Sequence, residues 1–256
     1  MIRVNRVYQK VLALANKEQR GYITPQEFNM FADMAQMDIF EKYFYDLEQM
    51  QRRSGNQDNY IDLADNIQEK ISIFQRYNQN MSVGSHGTVA LPSGGQDGGF
   101  YRIGTVRVDY IAEDFRFRNA EEIKTSELGL FMKDGNNASA RSKLFPHYTK
   151  TKANSTDGLA MLRVYPYPIP EHGDRVLITY IVTPNKPNWT YVMVANQGSA
   201  LYNPNAPDHQ DFQLHISEEN KLVTKILQYA GITIKDPQLV QAATAQEITK
   251  EQQQKQ

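Results

Sequence analysis

The stretch Asn16-Lys17-Glu18-Gln19-Arg20-Gly21-Tyr22-Ile23-Thr24-Pro25-Gln26-Glu27 has the skeleton of a calcium loop. Gly21 stands at the sharp turn, Ile23 follows it, and Glu27 sits where a bidentate carboxylate would close the ring. The ligands do not suit a cation. Asn16 is a neutral amide where such a loop opens with Asp, and Arg20 puts a fixed positive charge among the ligands. The same residues read better as a Gly stop and a new helix start. Thr24 can accept from the Glu27 N–H, Glu27 can reach back to Thr24, and Pro25 takes the first helical position.

Other chemistry-bearing residues do not assemble into a site on sequence grounds. Asp208, His209, Asp211 and His215 lie close together, but in a loop or at a strand end rather than paired along a helix. Gly94, Gly95, Gly98 and Gly99 have no following Gly-Lys-Ser/Thr, and a strand rather than a helix comes next. The acidic pairs Glu113/Asp114, Glu121/Glu122 and Glu218/Glu219 read as solvated faces or helix starts. No Gly-x-Ser-x-Gly elbow is present. Cysteine is absent, which removes disulfides, thiolate metal sites and a Cys nucleophile. No catalytic, cofactor-binding or metal residues are expected. A net charge of −1 disfavours binding that depends on neutralising phosphates. No apolar run reaches the length of a membrane helix and no signal peptide is evident, so a protein made in a cytoplasm is expected.

The elements divide into three zones, an α+β layout. Residues 1–74 read as an N-terminal helical region. Val4, Val7, Tyr8, Val11, Leu12 and Ala15 form one apolar face, and Phe28, Phe31, Ala35, Ile39, Phe40, Phe44 and Leu47 form another on a longer helix ending near Ser54-Gly55. Phe40, Tyr43, Phe44 and Tyr45 nearly surround that helix. They are either buried in their own domain or packed partly on neighbouring subunits. A short third helix is expected over 62–70. Residues 75–216 read as a β-rich domain, mostly antiparallel, a sandwich or barrel-like form with long loops. Its expected strands include Val106 to Tyr110, Met161 to Tyr167, Tyr191 to Ala195, and Arg175 to Val182 as the central one. Residues 217–256 read as C-terminal helices and a polar tail. Ser217 is the expected cap, Glu218 and Glu219 favour the helix N-terminus, and Gly231 is the expected stop. A second helix from Asp236-Pro237, carrying Leu239 and Val240, buries too little alone and is expected to serve assembly.

After the central strand, Pro184-Asn185-Lys186-Pro187-Asn188-Trp189 fixes an exposed connection ending in the single Trp. Trp189 either plugs one end of the sheet core or anchors a subunit contact.

Taken in order, several pieces resemble the ring proteins at the head–tail junction of crassvirus-like tailed bacteriophages. They are Val7-Tyr8-Gln9-Lys10-Val11 with residues 16–31, Leu91-Pro92 before Phe100-Tyr101-Arg102-Ile103-Gly104-Thr105-Val106, and Val164-Tyr165-Pro166. Ile178-Thr179-Tyr180 with residues 184–189 follows, then Phe212-Gln213-Leu214-His215, Ser217-Glu218-Glu219, and Lys225 to Ile232 with Lys235-Asp236-Pro237. The resemblance spreads over residues 5–243. No single piece is specific; the order and spacing are. It implies a non-enzymatic virion structural protein, assembled in the host bacterial cytoplasm. The chain would form a cyclic homo-oligomer, expected to be twelve-fold, against portal protein and other ring and tail proteins. DNA would pass through the lumen without sequence-specific binding, and no membrane would be involved. The residues expected at subunit contacts are Phe40, Tyr43, Tyr45, Trp189, Tyr191, Leu239 and Val240. A rival class is a carbohydrate- or receptor-binding tail module gripping its ligand with Tyr165, Tyr167, Trp189 and Tyr191. An entry enzyme is the third, and it would need converging carboxylates or a metal.

Arg20 in the would-be ligand ring carries the first testable expectation. Millimolar calcium should leave the melting temperature unchanged; a rise of several degrees reversed by chelator would contradict it.

Overall fold

A computed structural model of the chain describes residues 1–17, 23–52, 58–92, 99–111, 115–133, 145–152, 160–193 and 200–233. Arg20, Gly21, Gly94, Gly95, Gly98, Glu113, Asp114 and everything from Ile234 lie outside them, including Leu239 and Val240. The fold is α+β with helices at both ends of the described chain. It separates into two compact units, residues 1–73 with 184–256, and residues 74–183.

The first unit holds α1 (Val4–Lys17), α2 (Pro25–Arg52), α3 (Asp58–Ser72) and α5 (Glu219–Thr233), with the short strands β8 (Tyr191–Met193) and β9 (Ala200–Tyr202). The apolar stripes are buried as their spacing requires: Val4, Val7, Tyr8 and Val11 on α1, Phe28, Phe31, Ala35 and Ile39 on α2, and Leu222, Val223 and Ile226 on α5. The capping box forms at α2. The Glu27 N–H donates to Thr24 Oγ1 at 3.3 Å, and the Thr24 N–H donates to Glu27 Oε2 at 2.9 Å. These bonds from Thr24 hold the Glu27 carboxyl below its ordinary pKa.

Two expected helix signals yield to tertiary structure. Helix α5 continues through Gly231 to Thr233, and Gly231 is buried. A helical glycine costs about 1 kcal/mol, which packing of this face outweighs. Ser217 does not cap α5. A short 3-10 turn, Ile216–Glu218, comes first, capped by His215, whose Nδ1 accepts from the Ser217 N–H at 3.3 Å. Strands β8 and β9, with residues 184–216 around them, group with the helices and not with the sheet zone in which the sequence put them.

The second unit is one curled seven-stranded sheet, the barrel-like form rather than a sandwich. Its strands are β1 (Gln75–Met81), β2 (Thr88–Ala90), β3 (Phe100–Tyr110), β4 (Phe115–Glu122), β5 (His147–Lys152), β6 (Ala160–Tyr165) and β7 (Arg175–Val182), in the order β1-β7-β3-β4-β5-β6-β2. Helix α4 (Thr125–Lys133) follows β4. All neighbours are antiparallel except β4 with β5. Past the end of β1, Val83 bridges to Val89 of β2, so the two outer strands of the order meet there.

Alternation explains the core of this sheet. Val106, Val108 and Tyr110 of β3 and Val176, Ile178, Tyr180 and Val182 of β7 are buried. Asp109 is buried on the opposite face, because its cross-strand partner Arg175 reaches it at 2.8 Å. At the strand ends, the Asp174 carboxylate accepts from the N–H groups of Ile111 at 3.0 Å and Ile169 at 2.9 Å. Tyr110 donates its hydroxyl to the Pro166 carbonyl at 2.6 Å.

Tyr148 on β5 gives the sheet a titratable marker. It is buried, and it donates to Glu122 Oε2 at 3.3 Å. Burial first, and the Glu122 charge second, push its pKa up to about 12 from an ordinary 10.0. The folded state therefore keeps this proton after the unfolded chain has lost it. The contribution is complete below pH 10 and disappears as pH rises to about 12. Melting temperatures recorded across that window should fall, and Tyr148→Phe should make the fall shallower.

Candidate functional site

The most elaborate arrangement in the first unit surrounds residues 184–190 and 203–215, which bond to α1 and α2 mostly without regular structure. A buried segment of that kind needs partners for every N–H and C=O. Gln36 of α2, fully buried, supplies two: its Nε2 donates to the Asn185 carbonyl at 2.7 Å, and its Oε1 accepts from the Gln213 N–H at 3.0 Å. The Gln213 side chain accepts in turn from the Asn185 N–H at 2.8 Å. One helical turn pair earlier, Asn29 accepts from the Trp189 N–H at 2.8 Å and donates to the Trp189 carbonyl at 3.2 Å. It also donates to Asn188 Oδ1 at 2.8 Å. Asn5 of α1 takes the indole N–H at 3.0 Å.

Trp189 is thereby fixed on every polar edge, and its faces meet other rings. Tyr8 lies at 4.1 Å between centroids, and Tyr191 and Tyr202 each stack at 5.7 Å. Tyr8 in turn meets Phe28 edge-on at 4.8 Å. Tyr191 and Tyr202 are direct cross-strand partners of β8 and β9, so both turn to the same face. The next pair, Val192 with Leu201, must point the other way. Val192 is 54% exposed, and Met193 and Leu201 are 60% exposed. The hairpin thus stands on a locked aromatic base and carries large apolar side chains outward.

The cluster Asp208, His209, Asp211 and His215 has structural work instead of a shared centre. Asp211 Oδ1 accepts the Val4 N–H at 2.8 Å, placing a carboxylate at the start of α1, which has no acidic residue in its own first turn. Asp208 accepts from Asn188 Nδ2 at 3.0 Å. His209 meets the Tyr202 hydroxyl at 3.3 Å, and burial followed by the Asp211 charge raises the Tyr202 pKa. His215 caps the turn before α5. Among the described residues, no group of three or more His, Cys, Asp or Glu is placed to hold a metal.

Glu218 and Glu219, expected as a solvated face or a helix start, do stand at the start of α5, and both are buried in ion pairs. Glu218 Oε1 receives Lys70 of α3 at 2.6 Å, and Glu219 Oε1 receives Arg6 at 2.9 Å and Lys10 at 2.6 Å, both from α1. Burial lowers the pKa of Lys221 beside them, with Glu218 opposing.

The residues expected at subunit contacts fare unequally. Phe40, Tyr43 and Trp189 are corrected to the unit's own core, where they are 0%, 3% and 3% exposed. Helix α2 packs against α3, α5 and the crossing segment, which is where these aromatics are buried. Tyr191 is half-buried under the hairpin, and Tyr45 is exposed. Of the four aromatics expected to grip a glycan, Tyr165 and Trp189 are buried, and the set is divided between the two units. Gln36 and Asn29 were not anticipated. Their signal was available: two amides seven residues apart inside the apolar stripe of α2. No protein-family model and no curated protein matches the chain.

Gln36→Leu tests the fastening directly. It adds apolar surface to the core yet strands a buried carbonyl and a buried N–H. It should cost on the order of 3 kcal/mol, read as a lower urea midpoint at an unchanged slope. A neutral effect would mean that the crossing segment is held by other means.

Proposed function

We propose that the chain is a structural subunit of a cyclic ring at the portal–tail junction of a tailed bacteriophage. In that ring it extends the DNA channel and docks tail components. The observation that carries this reading is the outward apolar pair of the β8–β9 hairpin, Val192 and Leu201, on the face opposite the tyrosines that stack on Trp189. Apolar side chains presented from a rigid base suit permanent association, because little conformational freedom remains to be lost on docking. The occupant is a neighbouring copy of the chain. A ring of identical subunits uses a head-to-tail interface, in which two different patches meet and rotation closes the circle. Met30 and Met34, one turn apart on α2 and 54% and 45% exposed, offer a second apolar patch for such a contact. Methionine adapts to an incoming shape better than branched side chains do. The resemblance of the ordered sequence pieces to crassvirus-like ring proteins supports a position at the portal, and twelve-fold symmetry is the expectation that follows. A net charge of −1 suits a conduit that must release the DNA passing through it.

Electron microscopy and native mass measurement of the chain, alone at high concentration and co-expressed with portal protein, test the reading. Closed rings are expected. Val192→Asp with Leu201→Asp should leave the subunit's own stability within about 0.5 kcal/mol, since both side chains are exposed. The same pair should weaken assembly more than about a hundredfold in concentration, because it buries unpaired charge at the contact. A parent chain that stays monomeric under all conditions, and binds glycans, would move the assignment to a tail module.

A further inference from the structure

The curled sheet carries a feature unrelated to the hairpin. Thr88 of β2, Arg163 of β6 and Thr149 of β5 are direct cross-strand partners, so their side chains form one row on one face. Thr149 is 1% exposed and its Oγ1 has no hydrogen-bond partner. The Arg163 Nε is likewise buried and without a partner. In the next row of the same face stand His147 and Tyr165, both buried, and Glu121 of β4 pairs across to His147. Glu121 is exposed and makes no ion pair with Arg163.

A guanidinium donates only, and it keeps its charge at any working pH. Taking part of it out of water with no acceptor is costly, and native proteins satisfy nearly all such groups. The Thr149 hydroxyl, on the cross-strand neighbour, can donate as well. We infer that this face of β2, β6 and β5 is a binding site for an oxyanion, a carboxylate or phosphate group held by Arg163 and Thr149. A carboxylate matches the planar fork with two parallel hydrogen bonds, and a phosphate offers the same edge plus an oxygen for the threonine. A bound anion would supply the acceptor that the buried Nε lacks.

Melting temperatures of the full chain in chloride, acetate and inorganic phosphate at equal ionic strength decide the matter. The parent chain should gain several degrees, saturably, with acetate or with phosphate but not with chloride. Whichever of the two acts at lower concentration identifies the planar or the tetrahedral ligand. Arg163→Met should abolish the gain and melt higher than the parent in chloride, since it removes an uncompensated charge. Thr149→Val should weaken the apparent affinity several-fold and fold normally. Absence of an ion-specific gain in the parent would overturn the site, as would an equal gain in Arg163→Met. So would a lower melting point of that variant in chloride, which would mean that Arg163 already has a structural partner. If Arg163→Met does not fold, a parent-like response of Thr149→Val overturns the inference on its own.

Discussion

Burying an irregular segment of chain against a helix is the constraint around which the first unit is built. Helices and sheets satisfy their own backbones; residues 184–190 and 203–215 do not, and they lie against α1 and α2. The solution is side-chain amides. Gln36 serves an acceptor and a donor belonging to two separate passes of the chain, and Asn29 does the same for the two polar groups of Trp189. An amide is suited to this because it carries donor and acceptor on one rigid group and no charge to desolvate. Glutamate at Gln36 would face the Asn185 carbonyl with another acceptor, and leucine would face it with nothing.

Charge then ties α5 to the same body. The two consecutive acids at its start point to different helices, Glu218 to α3 through Lys70 and Glu219 to α1 through Arg6 and Lys10. Buried ion pairs contribute little net stability but make wrong arrangements costly, because any displacement leaves a carboxylate buried alone. Arg6 and Lys10 remain 60% and 39% exposed at their side chains, so water shares their solvation and the pairs act more as positioning devices than as cement. Asp38, bonded by Lys225 and by the Tyr229 hydroxyl, repeats the pattern further along α5. Helix α5 is thus tied at its start to α1 and α3 and further along to α2.

Local signals were legible where the interaction is local. The capping box at Thr24, the apolar stripes of α1, α2 and α5, and β7 from Arg175 to Val182 all depend on neighbours within a few residues, and the sequence reading matched them. The β-zone boundary was not legible. Residues 191–193 and 200–202 read as strand, and they are strand, but nothing in a period of two says which body a strand joins. Gly231 and Ser217 were read by their intrinsic preferences, which burial of α5 and the His215 cap override. Trp189 was expected either to plug one end of the sheet core or to anchor a subunit contact; it packs instead within the helical unit, where the indole's partner, Asn5, is 184 residues away. Glu218 and Glu219 were legible as a helix start but not as buried, because their cations come from α1 and α3. The hairpin face was missed for a similar reason. Val192 and Leu201 become an outward pair only once Tyr191 and Tyr202 are known to face Trp189.

The locked base also bears on how the proposed contact surface keeps its shape. Exposed valine, methionine and leucine on a mobile loop would collapse onto the nearest apolar patch of their own chain, lowering exposure but also blurring the contact. Here the tyrosines of the hairpin occupy its inner face and stack on an indole that is itself fixed by Asn5 and Asn29. The outer side chains cannot turn inward without reversing the strands, because a one-residue slip would exchange the two faces and expose the tyrosines instead. Register is therefore enforced by the aromatic core. Val192 and Leu201 stay outward because the tyrosines already occupy the inner face against Trp189, and the proposed ring contact would use that fixed pair.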